Sequence, residues 1–350
     1  MQAMRADPDR TARTFDRAAL LRRGAAAGSG LALAGLLPGL ARARREGATV
    51  NLVAYSTPKP VLAQLITSWT GTPPGRGVSF TQSYGPSTSQ AQAVAAGLPA
   101  DLVFLSWPGD VQVLVDAGLV APSWDEQSYR GIEANTVVVF ALRDGNPRKI
   151  RGWNDLVRPG VQVITPSPWS SGSAKWNVLA AYAAQRHLGK GDKQAVAYVE
   201  QLFRNVVAQP TSGANATTAF LAGQGDVLIT YESEAIAARL KGTSLQYVIP
   251  RQTLLIQLPI AVLEHSANRD LANQFIQYTK ETPQQVAFGQ NGFRPVNPQA
   301  AGRFTNFPLR PGQITLADRT LGGYAAVQKR WFDQGGLMAS IEAAVGGPSA

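Results

Sequence analysis

The sequence contains no cysteine and only two histidines, His187 and His265. The absence of cysteine excludes disulfides, thiolate metal sites, a cysteine nucleophile and a lipid-modified cysteine anchor. Because the two histidines lie far apart in the sequence, we expect no multi-histidine metal site, and a catalytic serine triad would need one of them. We therefore predict no metal, no cofactor and no catalytic residue.

A basic segment of the kind that binds nucleic acid is also missing from most of the chain. The net charge is +10, but residues 1–45 contain nine arginines against three aspartates. Beyond them, the longest runs of basic residues are pairs such as Arg148-Lys149 and Lys329-Arg330. Since most of the excess positive charge lies near the N-terminus, we expect no nucleic-acid partner.

Residues 1–45 have the features of an export signal. The pair Arg22-Arg23 precedes the stretch Gly24–Leu40, which is rich in alanine, glycine and leucine, and Ala41-Arg42-Ala43 fits a small-residue cleavage site. The apolar stretch is short and is broken by Pro38, so it is a weak candidate for a membrane span. We predict export by the twin-arginine route to a periplasmic or envelope-associated location; an uncleaved anchor or a disordered tail is the alternative.

Loops of serine, threonine and glycine recur after predicted strands. The apolar run Val161–Thr165 is followed by Ser170–Ser173, which opens a helix, and similar loops occupy Ser56–Pro58, residues 83–90 and residues 209–218. Strands that alternate with helices predict a parallel α/β fold with ligands beyond the carboxyl ends of the strands. We therefore predict that these loops meet at one site.

Such loops are suited to a small anion. Small residues allow close approach of the backbone, and the first N–H groups of a helix point outward as donors. The loops lack the GKS or GKT ending of a nucleotide-binding P-loop. An alternative for one loop is that Ser170 or Ser171 only caps its helix. The recurrence of the loops favours anion binding.

Neutral donors also discriminate between anions. Sulfate carries no proton at pH 7, whereas phosphate is partly protonated. A pocket of donors alone leaves that proton without an acceptor, which costs about 1–3 kcal/mol. The loops therefore predict a preference for sulfate over phosphate.

Six sequence blocks resemble the periplasmic sulfate-binding proteins that serve sulfate/thiosulfate ABC importers. They occur in the family's order and spacing, and the likeness covers about residues 49–341. The blocks are YSTP at 55–58, QSYGPS at 82–87, GVQVITPSPWSSGSAKWNVLAAY at 160–182, GDVLITYESEA at 225–235, GFRPVNP at 292–298 and GGYAAVQKRWFDQGG at 322–336.

The resemblance implies a two-lobed type II periplasmic-binding-protein fold, each lobe a mixed sheet flanked by helices, with the ligand in the interlobe cleft. We expect Thr136–Leu142 and Leu245–Pro250 to cross between lobes. Lobe 1 is placed at residues 48–135 plus 248–315, lobe 2 at 136–247 and a C-terminal helical segment at 316–350. The resemblance also implies a monomeric binding protein that is not an enzyme, with sulfate or thiosulfate as ligand and the importer's permease and ATPase subunits as partners.

The same resemblance implies seven ligand-binding positions. They supply backbone donors, one serine hydroxyl and, at the family's indole position, a phenol; in chain order they are Ser56, Ser87, Ser171, Gly172, Ser173, Gly213 and Tyr231. Besides this phenol, the chain departs from the family pattern at four places: Ser173 replaces a glycine, Gly85–Thr88 replaces GGSG, the loop Ser212–Ala216 lacks an arginine, and Lys175 replaces an arginine. These departures leave the preferred oxyanion open.

Other functions are weaker alternatives. Another tetrahedral oxyanion such as molybdate would suit the same donors, and iron would need paired tyrosines and carboxylates, of which Tyr231 and Glu232 are the candidates. A serine hydrolase would use Ser171 as nucleophile with His187 or His265 as base. Its local sequence is Ser-Ser-Gly-Ser and not G-x-S-x-G.

Overall fold

The computed structural model describes residues 47–307 and 313–346. The predicted export signal at residues 1–45 lies outside the described residues. Within the described ranges, no helix combines the length and the apolar character needed to cross a membrane.

Ten strands of the described ranges form one mixed sheet in the order β2-β1-β3-β9-β4-β7-β5-β6, with β8 and β10 also paired to β4. The strands are β1 (Thr49–Tyr55), β2 (Ser79–Gly85), β3 (Leu102–Phe104), β4 (Ile132–Leu142), β5 (Val163–Ile164), β6 (Val206–Ala208), β7 (Val227–Tyr231), β8 (Gln246–Val248), β9 (Leu255–Val262) and β10 (Arg294–Pro295).

Helices flank this sheet. The α-helices are α1 (Lys59–Thr70), α2 (Ser87–Ala95), α3 (Pro108–Asp116), α4 (Trp153–Leu156), α5 (Gly172–His187), α6 (Asp192–Arg204), α7 (Gly213–Leu221), α8 (Glu232–Leu240), α9 (Arg269–Thr279), α10 (Thr282–Gln290), α11 (Pro298–Ala301), α12 (Tyr324–Val327) and α13 (Leu337–Val345). A 3-10 turn at Ser128–Gly131 and a π-helical turn at Gln328–Phe332 complete the described elements.

The sheet has two sides that share β4. On the β1 side, β1 pairs in parallel with β2 and β3, and β9 runs antiparallel to β3. On the β7 side, β5 pairs in parallel with β6 and β7. The eleven-residue strand β4 pairs with β9 through its first half and with β7 through its second half. This arrangement confirms the mixed sheet that the family resemblance implies. The antiparallel pairing of β4 and β9 departs from the parallel sheet predicted from the alternation of strands and helices. Thr136–Leu142 lies within β4, which pairs with strands of both sides.

The return connection differs from the prediction. The sequence predicts that Leu245–Pro250 crosses back, but β8 in this run pairs with the last residues of β4, on the β7 side. Pro250 has no N–H to donate, and the residues from there to Gln252 are outside any strand. The chain reaches the β1 side through β9, which continues along β4 and then pairs with β3.

Helix α5 brings the two sides together. Its residues are buried from Gly172 to Gln185, so it has no solvent-facing side over that length. The Trp176 indole Nε1 donates a 2.6 Å hydrogen bond to the backbone oxygen of Ser106, just after β3. The start of α5, which follows a strand of the β7 side, is thereby held against a strand end of the β1 side.

Candidate anion-binding site

A small cavity lies where strand ends of the two sides meet. Five of the seven predicted residues line it, together with residues that the sequence analysis did not select; the five are Ser56, Ser87, Ser171, Ser173 and Gly213. The first two follow strands of the β1 side, and the other three follow strands of the β7 side. The cavity offers about 10 Å³ to a water-sized solute, close to the least space that one water molecule needs.

Three helices begin at this cavity. Helix α2 starts at Ser87, α5 at Gly172 and α7 at Gly213. The first N–H groups of each helix have no intrahelical acceptor, and the positive end of the helix dipole lies behind them. Because no lysine or arginine of the described residues lines the cavity, these N–H groups and the hydroxyls are the donors that it offers.

Ser171 precedes α5 but does not cap it through its side chain. It occupies the N-cap position with no capping hydrogen bond, and its Oγ lies 2.9 Å from the Oγ of Ser173. Ser212, by contrast, caps α7 by accepting a 3.1 Å hydrogen bond from the Asn215 N–H. The Ser170 hydroxyl donates to the backbone oxygen of Thr211 instead. The capping alternative therefore does not account for Ser171.

The Ser87 side chain is engaged within the protein. Its Oγ donates to Asp110 Oδ2 at 2.6 Å and accepts the Ser106 N–H at 2.9 Å. Thr88 Oγ1 donates to Asp110 Oδ1 at 2.9 Å, and Lys175 Nζ lies 3.4 Å from the same oxygen. With its hydroxyl occupied, Ser87 has its backbone N–H left to offer a ligand, as the resemblance implies.

A second buried carboxylate, that of Glu234, lies beside the cavity. It accepts a hydrogen bond from the Thr57 hydroxyl and a longer one, of 3.5 Å, from Thr217. Burial raises the pKa of Glu234, while Thr57 and the nearby Lys241 oppose the rise. A Cβ added at Gly213 would lie 3.1 Å from Ser173 Oγ and 3.5 Å from this carboxylate, so glycine allows α7 to start close to both.

Gly172 and Tyr231 do not line the cavity. A Cβ at Gly172 would lie 2.5 Å from the Ser106 Oγ, so the close contact between α5 and the end of β3 requires glycine. Tyr231 is 1% exposed, and its hydroxyl has no hydrogen-bond partner of good geometry among the described residues. Burial raises the pKa of this phenol well above its ordinary value, and neighbouring Ser106 opposes part of the rise. The two positions remain predicted ligand contacts.

Seven further residues line the cavity. Five of them lie within the predicted loops, namely Thr57, Gly85, Pro86, Ser212 and Ala214, whereas Tyr55 and Ser106 lie outside them. Ser106 follows β3, and the same rule that selected the other strand ends could have found it. It was missed because it stands alone before Trp107-Pro108 and not in a serine-rich loop. Tyr55 ends β1, and a tyrosine at the end of an apolar run is typical of a packing residue.

A larger cavity of about 640 Å³ is less suited to an anion. Its wall contains Asp110, Asp116 and Asp333, and Lys175 is the one cationic residue there in the described part of the chain. The acidic groups outnumber the single ammonium, which is already paired with Asp110. The small cavity is therefore the better candidate for an anion.

Neither histidine is placed to activate Ser171. His187 ends the sixteen-residue helix that Ser171 precedes, about 24 Å along its axis, and its Nε2 lies 3.1 Å from Asp318. His265 follows β9 next to the amino end of β3, where the Leu263 N–H donates to the Asp101 oxygen. The hydrolase alternative thus lacks its base. In the described part of the chain, no group of three acidic or histidine side chains could hold a metal ion.

Comparison with known proteins identifies the class. Residues 50–294 match the family described as bacterial extracellular solute-binding protein. The two-sided mixed sheet with a pocket between its sides is the two-lobed fold of periplasmic binding proteins.

Individual relatives narrow the class. The chain is 35% identical over 308 residues to the sulfate-binding protein of Synechococcus elongatus, covering 85% of this chain and 87% of that protein. It is 32% identical over 277 residues to the thiosulfate-binding protein of Pseudomonas aeruginosa, covering 76% and 83%. The structure of the sulfate-binding protein SubI from Mycobacterium tuberculosis H37Rv matches with a TM-score of 0.78 and 43% identity, covering 82% of this chain and all of that one. The chain belongs to the sulfate-binding protein family.

Proposed function

We propose that this protein captures sulfate or thiosulfate in the small cavity and delivers it to an ABC importer. The observation that carries the proposal is the meeting of Ser56, Ser87, Ser171, Ser173 and Gly213 around one cavity without a lining cation. Neutral N–H and hydroxyl donors can stabilise a dianion by about 1.5–3 kcal/mol for each charge-assisted hydrogen bond. The relatives named above, which are binding proteins and not enzymes, support this assignment.

Ligand entry needs the two sides of the site to separate. A sulfate ion is larger than the single water that the cavity can hold. We propose that residues 48–135 with 248–315 form one lobe and residues 136–247 the other, with 316–350 as a C-terminal segment. The change of partner along β4, from β9 up to Val137 to β7 from Val138, supports the first boundary, because β4 then acts as a connection about which the lobes open.

The remaining parts of the proposal concern location and partners. Residues 1–45 would direct export, and the anion-loaded protein would dock as a monomer on the permease and ATPase subunits of its importer. The protein would carry out no chemical reaction, in keeping with the position of His187 at the far end of the helix that Ser171 precedes.

Isothermal titration calorimetry of the anion-free protein tests the ligand. We expect sulfate or thiosulfate to bind, and phosphate at pH 7 to bind more weakly because the donors leave its proton unpaired. Molybdate serves as a larger tetrahedral oxyanion of the same charge. Phosphate binding as tight as sulfate binding would contradict the view that a pocket of donors alone rejects a protonated anion. Binding of molybdate alone would change the proposed ligand to molybdate.

A further inference from the structure

The Tyr55 hydroxyl is buried without a hydrogen-bond partner among the described residues. Tyr55 ends β1 and is 4% exposed, and its ring packs edge-on against Phe104 with centroids 5.5 Å apart. Buried polar groups in proteins are nearly always hydrogen-bonded, because an unpaired one keeps the cost of losing water. A phenylalanine would pack against Phe104 without that cost, so packing alone does not explain a tyrosine at this position.

Tyr55 is also one of the residues that line the small cavity. Two neighbouring hydroxyls of this wall already have protein acceptors, since Ser87 donates to Asp110 and Thr57 donates to Glu234. Tyr55 differs from them in having no acceptor. Its hydroxyl is also close enough to Tyr231 and Glu234 for both to influence its ionisation.

The proton of this phenol is firmly held. Burial raises the pKa of Tyr55 well above its ordinary value, and Tyr231 and Glu234 raise it further. The hydroxyl therefore stays protonated at neutral pH and can donate. The carboxylate of Glu234, the other group facing it, is occupied by Thr57 and Thr217.

We propose that the Tyr55 hydroxyl donates a hydrogen bond to the bound anion, which makes Tyr55 a specificity-determining residue of the site. This inference rests on the proposed function and adds a side-chain donor that the family resemblance did not supply. A phenol places its O–H farther from the backbone than a serine does. Tyr55 would therefore donate from the end of strand β1, whereas the N–H donors belong to the first residues of the helices. The class of ligand is a tetrahedral oxyanion with at least one unprotonated oxygen facing β1.

The test is Tyr55→Phe, studied by calorimetry with sulfate and by thermal unfolding without anion. We expect sulfate affinity to fall at least tenfold, as for loss of a hydrogen bond to a charged group. The anion-free variant should melt at the same temperature as the parent or higher, because an unpaired polar group has been removed.

Tyr198→Phe is the matched control. Tyr198 is also a buried tyrosine, but its hydroxyl donates to the Trp153 backbone oxygen at 2.6 Å, away from the cavity. This variant should lose thermal stability and keep its sulfate affinity, which is the reverse of the pattern expected for Tyr55→Phe.

The outcomes separate the two proposals. If the parent protein binds sulfate and Tyr55→Phe binds it equally well, the Tyr55 inference is wrong and the proposed function stands. If the parent binds no sulfate or thiosulfate, the proposed function itself fails.

Should Tyr55→Phe not fold, 3-fluorotyrosine placed at position 55 gives a second readout. Its fluorine resonance should shift on sulfate addition, whereas the same label at position 198 should not; an unmoved resonance at position 55 would overturn the inference.

Discussion

Lys175 Nζ lies 3.4 Å from Asp110 Oδ1, and both side chains are buried. Lys175 stands in the first turns of α5, whereas Asp110 is on α3, which follows a strand of the β1 side. The same carboxylate accepts hydrogen bonds from Ser87 and Thr88 at the start of α2. One acidic residue therefore ties together two helix N-termini of the candidate site.

Replacing Lys175 should destabilise the fold, because a buried charge would lose its partner. For Lys175→Met we expect the free energy of unfolding to fall by about 3 kcal/mol, the low end for a broken buried pair, since Ser87 and Thr88 still donate to Asp110. Urea denaturation measures this change. The control is Arg204→Ala, which removes an exposed ion pair with Glu200 and should cost less than about 1 kcal/mol. Equal costs for the two variants would contradict a buried pair.

Ser171 and Ser212 offer a paired comparison of two serines before helices at the same cavity. Ser171→Ala should weaken sulfate binding by about 1.5–3 kcal/mol with little change in stability, because its hydroxyl makes no capping bond. Ser212→Ala should lower the unfolding free energy by about 1 kcal/mol, because its hydroxyl caps α7. Calorimetry and urea denaturation of both variants check this contrast. A Ser171→Ala protein with parental affinity and lowered stability would restore the capping interpretation.

The loops of the site could be predicted because small residues after apolar strands allow a ligand to approach the backbone closely at the carboxyl ends of the strands. This pattern predicted the loops that line the cavity, whereas the individual positions Ser56, Ser87, Ser171, Ser173 and Gly213 came from the family resemblance. The pattern predicted a loop at residues 209–218, however, although α7 begins at Gly213. A short polar segment does not reveal where helical hydrogen bonding starts, because Ser212 and the residues after it suit a loop and a capped helix equally.

The supporting carboxylates could not be predicted. Asp110 and Glu234 lie within helical patterns, and nothing in their neighbours indicates that the side chains turn inward to meet serine and threonine hydroxyls. Tyr55 presents the same difficulty, since a tyrosine at the end of an apolar strand is more often a packing residue. These roles depend on which elements meet in space, and β4 and β9 determine that by pairing residues more than a hundred positions apart.

Glu234 should make stability depend on pH. Burial raises its pKa above the ordinary value of 4.5, so the folded state favours the protonated form. The contribution of Glu234 to stability is therefore complete below about pH 4.5 and is lost as the pH rises through the raised pKa. We expect Glu234→Gln to be more stable than the parent at pH 7, with the difference shrinking as the pH falls towards 4.5.

Urea denaturation of the anion-free proteins across this pH range measures the difference for Glu234→Gln. Subtracting the parental curve removes the contribution of other carboxylates. Glu200→Gln changes a glutamate on the exposed surface of α6 and serves as the control, with an expected difference near zero at both ends of the range. A Glu234→Gln difference that does not vary with pH would show that burial does not control this carboxyl.

Tyr231 stands where the family has a tryptophan, and its hydroxyl is buried without a well-oriented partner among the described residues. A phenol can donate one hydrogen bond, as an indole can. Although Tyr231 does not line the small cavity, it is the last residue of β7, and Ser106 of the cavity wall lies close to its hydroxyl. We expect separation of the lobes around an anion to bring this hydroxyl into contact with the anion, so that Tyr231→Phe loses about 1.5–3 kcal/mol of sulfate affinity.

Calorimetry measures this loss of affinity. Tyr182→Phe is the control, because the Tyr182 hydroxyl donates to Asp192 at 2.5 Å on another part of the molecule. A dissociation constant that stays the same in Tyr231→Phe would mean that the ring only packs beneath the site and that the backbone, Ser171 and Tyr55 hold the anion without it.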